Sequence, residues 1–198
     1  MKTALSPEAL DQLFRSARTP SGWTDTPVAD DLIHQLYELM KWGPTASNSC
    51  PARFVWVRSS EGKALLASVA MPPNRPKILA APLTVVIGND LGFAESLPKL
   101  VAPERVPVVQ GMLKTQGLTE SMAMRNGSLQ GAYLILAARA LGLDCWPMSG
   151  FDNAAADREF FTGTQIQSNF LCSLGYADSQ AGHPRGPRLT FADAGRFA

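Results

Sequence analysis

Five short stretches of this chain carry residue types that could hold a ligand. The first is GPTASNSCPARF over residues 43–54. It offers a proline-fixed turn, several short hydroxyl side chains, the amide of Asn48 and open backbone N–H groups. Pro44, Thr45, Ala46 and Asn48 could together hydrogen-bond a flat heterocycle rich in donors and acceptors. The second is NRPK, in which Asn74 and Lys77 stand three residues apart and could hold a phosphate or a polyol. The third is PMSGFD over residues 147–152. There Gly150 lets backbone approach a ligand closely, beside Met148 and Ser149, and Asp152 or Asn153 can cap a following helix. The fourth is HPRGPRL over residues 183–189, where Arg185 and Arg188 sit on a stiff, proline-bearing segment suited to bidentate phosphate contact. The fifth is Arg18, with the hydroxyls of Thr19 and Ser21 beside it. Taken singly, each also reads as an ordinary connection, a solvated surface loop, a capped turn or a solvated tail.

Elements must position these residues. Pro7 after Ser6 opens a first helix with Leu10, Leu13 and Phe14 along one stripe. Leu32, Ile33, Leu36, Leu39 and Met40 predict a second helix over residues 30–42, stopped by Gly43-Pro44. Strands are predicted at 54–57, 83–87 and 170–174. SLQGAYLILAARAL, residues 128–141, is apolar on nearly every face and predicts a buried central helix ending at Gly142. Lys77 falls in a short helix leading to the strand at Leu83. Residues 90–116 are rich in Pro and Gly without a clear period and read as an excursion over the fold, a lid.

Composition narrows the function classes. The chain has 198 residues, 45% of them apolar, and a formal net charge of +1. That suits one domain and argues against a nucleic-acid or polybasic membrane surface. No apolar run approaches the ~18 residues that span a bilayer, and no secretory signal is recognised. Cys50, Cys145 and Cys172 are odd in number and lack CxxC spacing, so neither a disulfide framework nor a zinc knuckle is expected, and a cytoplasmic location is. The methionines have no repeating spacing, so no metal is expected. Gly88-Asn89-Asp90-Leu91-Gly92, after the strand at Leu83, lacks the Gly-x-Gly-x-x-Gly turn of a classical dehydrogenase. A cysteine hydrolase built on Cys50 would need His34 or His183 as its base.

Read in order, the five stretches resemble the FMN-dependent nitroreductase family. The resemblance runs from Arg18-Thr19 through Pro44-Thr45-Ala46-Ser47-Asn48, the Asn74/Lys77 pair and Pro147-Met148-Ser149-Gly150-Phe151 to the basic segment 185–189. It covers residues 17–189. The departures are Ala17 and Ser21 at usually basic positions, Cys50-Pro51-Ala52 for Gln-Pro-Trp, and Ser149 for an acid. They resemble the branch that includes malonic semialdehyde reductases and NADH dehydrogenase/NAD(P)H nitroreductase proteins. The resemblance implies an α+β fold with a mostly antiparallel central sheet surrounded by helices. It implies a single domain over 1–198, with 90–125 a variable lid, and a cytoplasmic homodimer with one FMN at each interfacial site. Arg18, Lys77 and Arg188 would neutralise the phosphate, Arg185 and Thr19 would belong to the same cofactor site, Asn74 would bond the ribityl chain or the ring's polar edge, and Met148, Ser149 and Gly150 would lie along one ring face. Pro44, Thr45, Ala46 and Asn48 would come from the other subunit. No side chain would be catalytic, because the flavin carries the hydride chemistry. NADH or NADPH would donate electrons by a ping-pong route to a nitro compound, a quinone or a 3-oxo acid such as malonic semialdehyde. Arg53, Arg105 and Arg125 are candidates for the acid's carboxylate. A non-catalytic flavin-binding or storage protein on the same fold is the alternative.

Overall fold

The sheet is built around its most apolar strand. The computed structural model describes residues 2–178 and 185–198. Strands β1 (Ala52–Val57), β2 (Leu83–Asp90), β3 (Asp144–Met148) and β4 (Ile166–Gly175) pair antiparallel in the order β1-β2-β4-β3. Residues 83–89 of β2 are all buried, because both faces of the sheet are covered. Successive side chains point to opposite faces. Val85 and Ile87 join one core with Leu36, Met40, Leu134, Cys145 and Cys172, and Val86 joins another with Leu66, Ile78, Phe151 and Leu171.

Helices supply the two covering layers. α1 (Pro7–Leu10) has Ser6 as its cap and runs into a π-helical turn, Asp11–Arg15. α2 (Asp30–Met40) starts with two acids at the positive end of its dipole and buries Leu36 and Met40. α3 (Ser60–Val69) is capped by Ser59, and α4 (Arg75–Ala80) carries Lys77. Two short helices, α5 (Leu97–Leu100) and α6 (Val106–Met112), precede the longest element, α7 (Leu118–Ala140). α8 (Asn153–Phe160) has Asp152 as its N-cap, accepting from the Ala155 N–H at 3.0 Å. α9 (Phe191–Ala194) closes in a capping box between Thr190 and Asp193.

The structure corrects four expectations. β3 replaces a plain turn at residues 147–148. Pro147 does not forbid it, since β3 lies at the sheet edge, where a missing N–H leaves no ladder partner unsatisfied. α7 begins ten residues before residue 128, so residues 118–125 are helix rather than excursion. Its polar first half is held by the buried Asn126, whose amide donates to Met122 O at 2.8 Å. α7 is also buried on one face only: Met124 and Leu129 on the other are 53% and 41% exposed. Residues 93–112 are largely helical turns. Pro98, Pro103 and Pro107 each stand in a first turn, where proline favours a helix instead of breaking one. Gly131 lets α7 approach the sheet, for a Cβ there would lie 2.4 Å from the Phe170 ring.

Candidate functional site

Both ends of the described chain meet over β3. Residues 17–21, Lys77 of α4, Arg139 in the last turn of α7, Trp146 of β3, and Arg185, Gly186 and Arg188 enclose a cavity of about 650 Å³. Among the described residues, five cations line it: Arg18, Lys77, Arg139, Arg185 and Arg188. No described Asp or Glu does. Such a set suits a doubly charged phosphate monoester, which the guanidinium forks can meet with paired hydrogen bonds.

Hydrogen bonds fix the walls. Arg185 Nη2 donates to the carbonyls of Arg15 at 2.5 Å and Ala17 at 2.9 Å, serving acceptors that the helical turn leaves open. Arg139 Nη1 donates to Leu13 O at 2.9 Å, and Gln12 Nε2 returns a bond to Arg139 O at 2.7 Å. Lys77 Nζ stands 4.4 Å from the Trp146 ring centre and 3.5 Å from Asn74 Oδ1. Asn74 Nδ2 in turn donates to Gly150 O at 3.0 Å, as does the Met71 N–H at 2.9 Å. Gly150 is a cradle: an added Cβ would sit 2.7 Å from Asn74 Nδ2.

The structure therefore brings Arg18, Thr19, Lys77, Arg185 and Arg188 together, with Asn74 and Gly150 joined to them through Lys77. Ser149 is exposed beside Gly150, whereas the Met148 side chain is buried in the core, so only its backbone is open to a ligand role. His183 lies outside the described residues.

The loop at Pro44, Thr45, Ala46 and Asn48 does not line this cavity. Tyr133 OH donates to Pro44 O at 2.9 Å, the Ala46 N–H to Asn126 Oδ1 at 2.8 Å, and Asn48 Nδ2 to Leu100 O at 2.8 Å. Ser47, Asn48 and Cys50 hold φ of 53°, 50° and 41°, a left-handed backbone that costs about 1–3 kcal/mol per residue. Cys50 borders a second cavity of about 500 Å³, with Arg53, Phe54, Lys99 and Gln130 among its walls.

Among the described residues, thiol catalysis finds no support. Cys50 Sγ contacts Thr45 Oγ1 at 3.7 Å and Asn48 Oδ1 at 3.6 Å, and His34 is exposed on α2. Cys145 and Cys172 are buried. The neighbouring Cys145 and burial together push the Cys172 thiol well up, away from the reactive thiolate.

Arg139 and Trp146 line the cavity and are residues that sequence reasoning missed. Arg139 had a signal: it is the lone charge within the apolar stretch 128–141. Trp146 had none, being one aromatic in a short run ended by proline.

A four-stranded antiparallel sheet between helical layers is the nitroreductase fold. A crystal structure from Exiguobacterium sibiricum 255-15, described as a "putative nitroreductase in complex with FMN", matches over all of both chains with a TM-score of 0.86 at 22% identity. The chain belongs to the nitroreductase family, whose family model matches residues 14–176. A protein of Stenotrophomonas maltophilia (strain R551-3) is 55% identical over the whole of both chains. One of Caulobacter sp. (strain K31) is 52% identical over 98% of each. Both carry the name "Putative NADH dehydrogenase/NAD(P)H nitroreductase".

Proposed function

We propose that this chain binds one FMN in the five-cation cavity and acts as an NAD(P)H-dependent oxidoreductase on a small organic substrate. The observation that carries the reading is the convergence of Arg18, Lys77, Arg139, Arg185 and Arg188 with no carboxylate lining the cavity among the described residues, and with Gly150 tied to Lys77 through Asn74. The arginines neutralise the phosphate, and Thr19 and Asn74 supply neutral hydrogen bonds. Lys77 keeps positive charge at the Gly150 side of the cavity, where charge arriving during reduction is stabilised. Ser149 and Gly150 would present backbone to the ring, and the absence of a Cβ at 150 leaves room for Asn74, which such an atom would meet at 2.7 Å. When bound, FMN supplies hydride transfer between the nicotinamide donor and the acceptor.

The active unit in this reading is a homodimer. Pro44, Thr45, Ala46 and Asn48 stand apart from the cavity of their own chain, which supports their reaching the cavity of a second copy. The exposed apolar residues of α7, Met124 and Leu129, agree with burial against that copy. Residues 93–112 serve as the variable cover of the substrate. For a 3-oxo acid such as malonic semialdehyde, Arg53 is a poor carboxylate anchor. Its guanidinium already pairs with Asp90 at 2.5 Å and donates to the carbonyls of Cys50 and Ala52. Arg105 and Arg125 are exposed and line neither cavity. Lys99, on the wall of the second cavity, is the better candidate.

The test is the visible spectrum of the purified chain, then anaerobic addition of NADH or NADPH. A band near ~450 nm that bleaches within seconds supports the reductase. A band that persists supports a flavin carrier instead. A chain that stays colourless after FMN is added overturns the reading.

A further inference from the structure

Five like charges around one cavity repel each other, and a lysine on a flexible stem is the one most free to swing away. Lys77 is held by two neutral groups. Its Nζ lies 4.4 Å from the centre of the Trp146 ring and 3.5 Å from Asn74 Oδ1. A carboxylate in the place of Trp146 would hold the ammonium more strongly but would cancel its charge. An indole face attracts a cation through its quadrupole and leaves the full charge available to an incoming anion. Trp146 is itself fixed. It stands on β3 opposite Ser173 and packs, half-buried, against the core that holds Leu66, Ile78 and Phe151. Neighbouring Cys145 points into the other core, so strand alternation alone delivers the indole to the cavity side.

We propose that Trp146 is a positioning residue: its indole face keeps the Lys77 ammonium on the flavin cavity as an uncancelled positive charge. The inference rests on the flavin reading above. It assigns Trp146 no contact with substrate, only a hold on Lys77.

The test uses the purified chain stripped of flavin, in the wild-type, Trp146→Leu, Trp146→Phe, Lys77→Met and Trp146→Leu/Lys77→Met forms. Melting curves first check that each is folded. Titration with FMN, followed by flavin fluorescence, gives dissociation constants. Trp146→Leu is expected to weaken binding about three- to tenfold, and Trp146→Phe less, since a benzene face also attracts cations. Added to Lys77→Met, Trp146→Leu is expected to cost no more than about 1.5-fold. Equal losses with and without Lys77 would show that the indole only fills space, and would overturn the proposal.

A second arm needs no flavin. Lysines are reductively methylated, which keeps their charge, and the Lys77 methyl resonance is assigned by its loss in Lys77→Arg. Ring current should place it upfield of the other lysines in the wild type, and Trp146→Leu should return it to their range. An unmoved resonance overturns the proposal even where FMN binds. A wild-type chain that shows the upfield resonance but takes up no FMN overturns the flavin reading, and with it the purpose assigned to the contact, while the contact itself stands.

Discussion

Arg185 donates to the carbonyl of Ala17 at 2.9 Å, so a residue late in the chain braces the segment that carries Arg18 and Thr19. The same Nη2 reaches the carbonyl of Arg15. One guanidinium thus serves two backbone acceptors and also contributes charge to the cavity. Arg185→Lys keeps the charge but not the forked geometry. It is expected to weaken FMN binding about three- to tenfold, and Arg185→Ala more, for a bond from a charged donor is worth about 1.5–3 kcal/mol before solvent screening reduces it. Flavin titration at two salt concentrations separates the two losses, since only the alanine variant should lower the salt dependence.

Gly150→Ala tests the cradle. The new Cβ would meet Asn74 Nδ2 at 2.7 Å and Met71 Sδ at 3.3 Å, so Asn74 must turn away from Gly150 O. Overpacking of this kind costs about 1–3 kcal/mol. The expected result is a folded protein that purifies with at least about tenfold less flavin per chain, read from its visible and ultraviolet absorbance. Full flavin content in this variant would remove Gly150 from the site.

Leu134→Ala addresses the core and not the site. Leu134 is fully buried between α7 and the sheet, among Leu36, Val85 and Cys172. Truncation should cost about 2–5 kcal/mol. The urea midpoint of the flavin-free protein should fall with its slope unchanged, and FMN should restore part of the loss by binding only the folded form.

The buried thiol pair gives stability an alkaline limit. In the unfolded chain Cys172 loses its proton near pH ~8.5. In the folded chain Cys145 and burial hold that proton to much higher pH. The folded state therefore binds more protons above that point, and stability falls as pH rises. Urea midpoints from pH 7 to 10 should decline above about pH 8.5, and Cys172→Ala should flatten the decline. An identical decline in the variant would assign it to other groups.

What could be read from the sequence, and what could not, follows from where each signal lies. The helical stripe of Leu32, Leu36 and Met40, the buried run at Val85 and Val86, and the cap at Asp152 are local, and each element formed where its residues call for it. β3 was hidden because Pro147 opposes a strand, and only the edge position makes it tolerable. The first half of α7 was hidden because Asn126 and Gly127 look like loop residues. Asn126 is buried there through bonds to Met122 O and the Ala46 N–H, and Gly127 leaves room for Asn89, whose Oδ1 an added Cβ would meet at 1.9 Å. Arg18, Lys77 and Arg188 could be marked as candidate phosphate ligands by type and order, and they line one cavity. That Arg139 joins them is a property of the packed chain, set by α7 ending beside the N-terminal segment.

The bracing of Ala17 by Arg185 also sets an order of events during synthesis. Arg185 follows Arg15 by 170 positions, so the ribosome makes one wall of the cavity long before the other. The sheet can assemble once β4 has emerged, yet the cavity stays open until Arg185 and Arg188 arrive. A chain broken off after β4 would keep its core and lack two of its five cations. Its flavin content would then report whether residues 185–188 had been made.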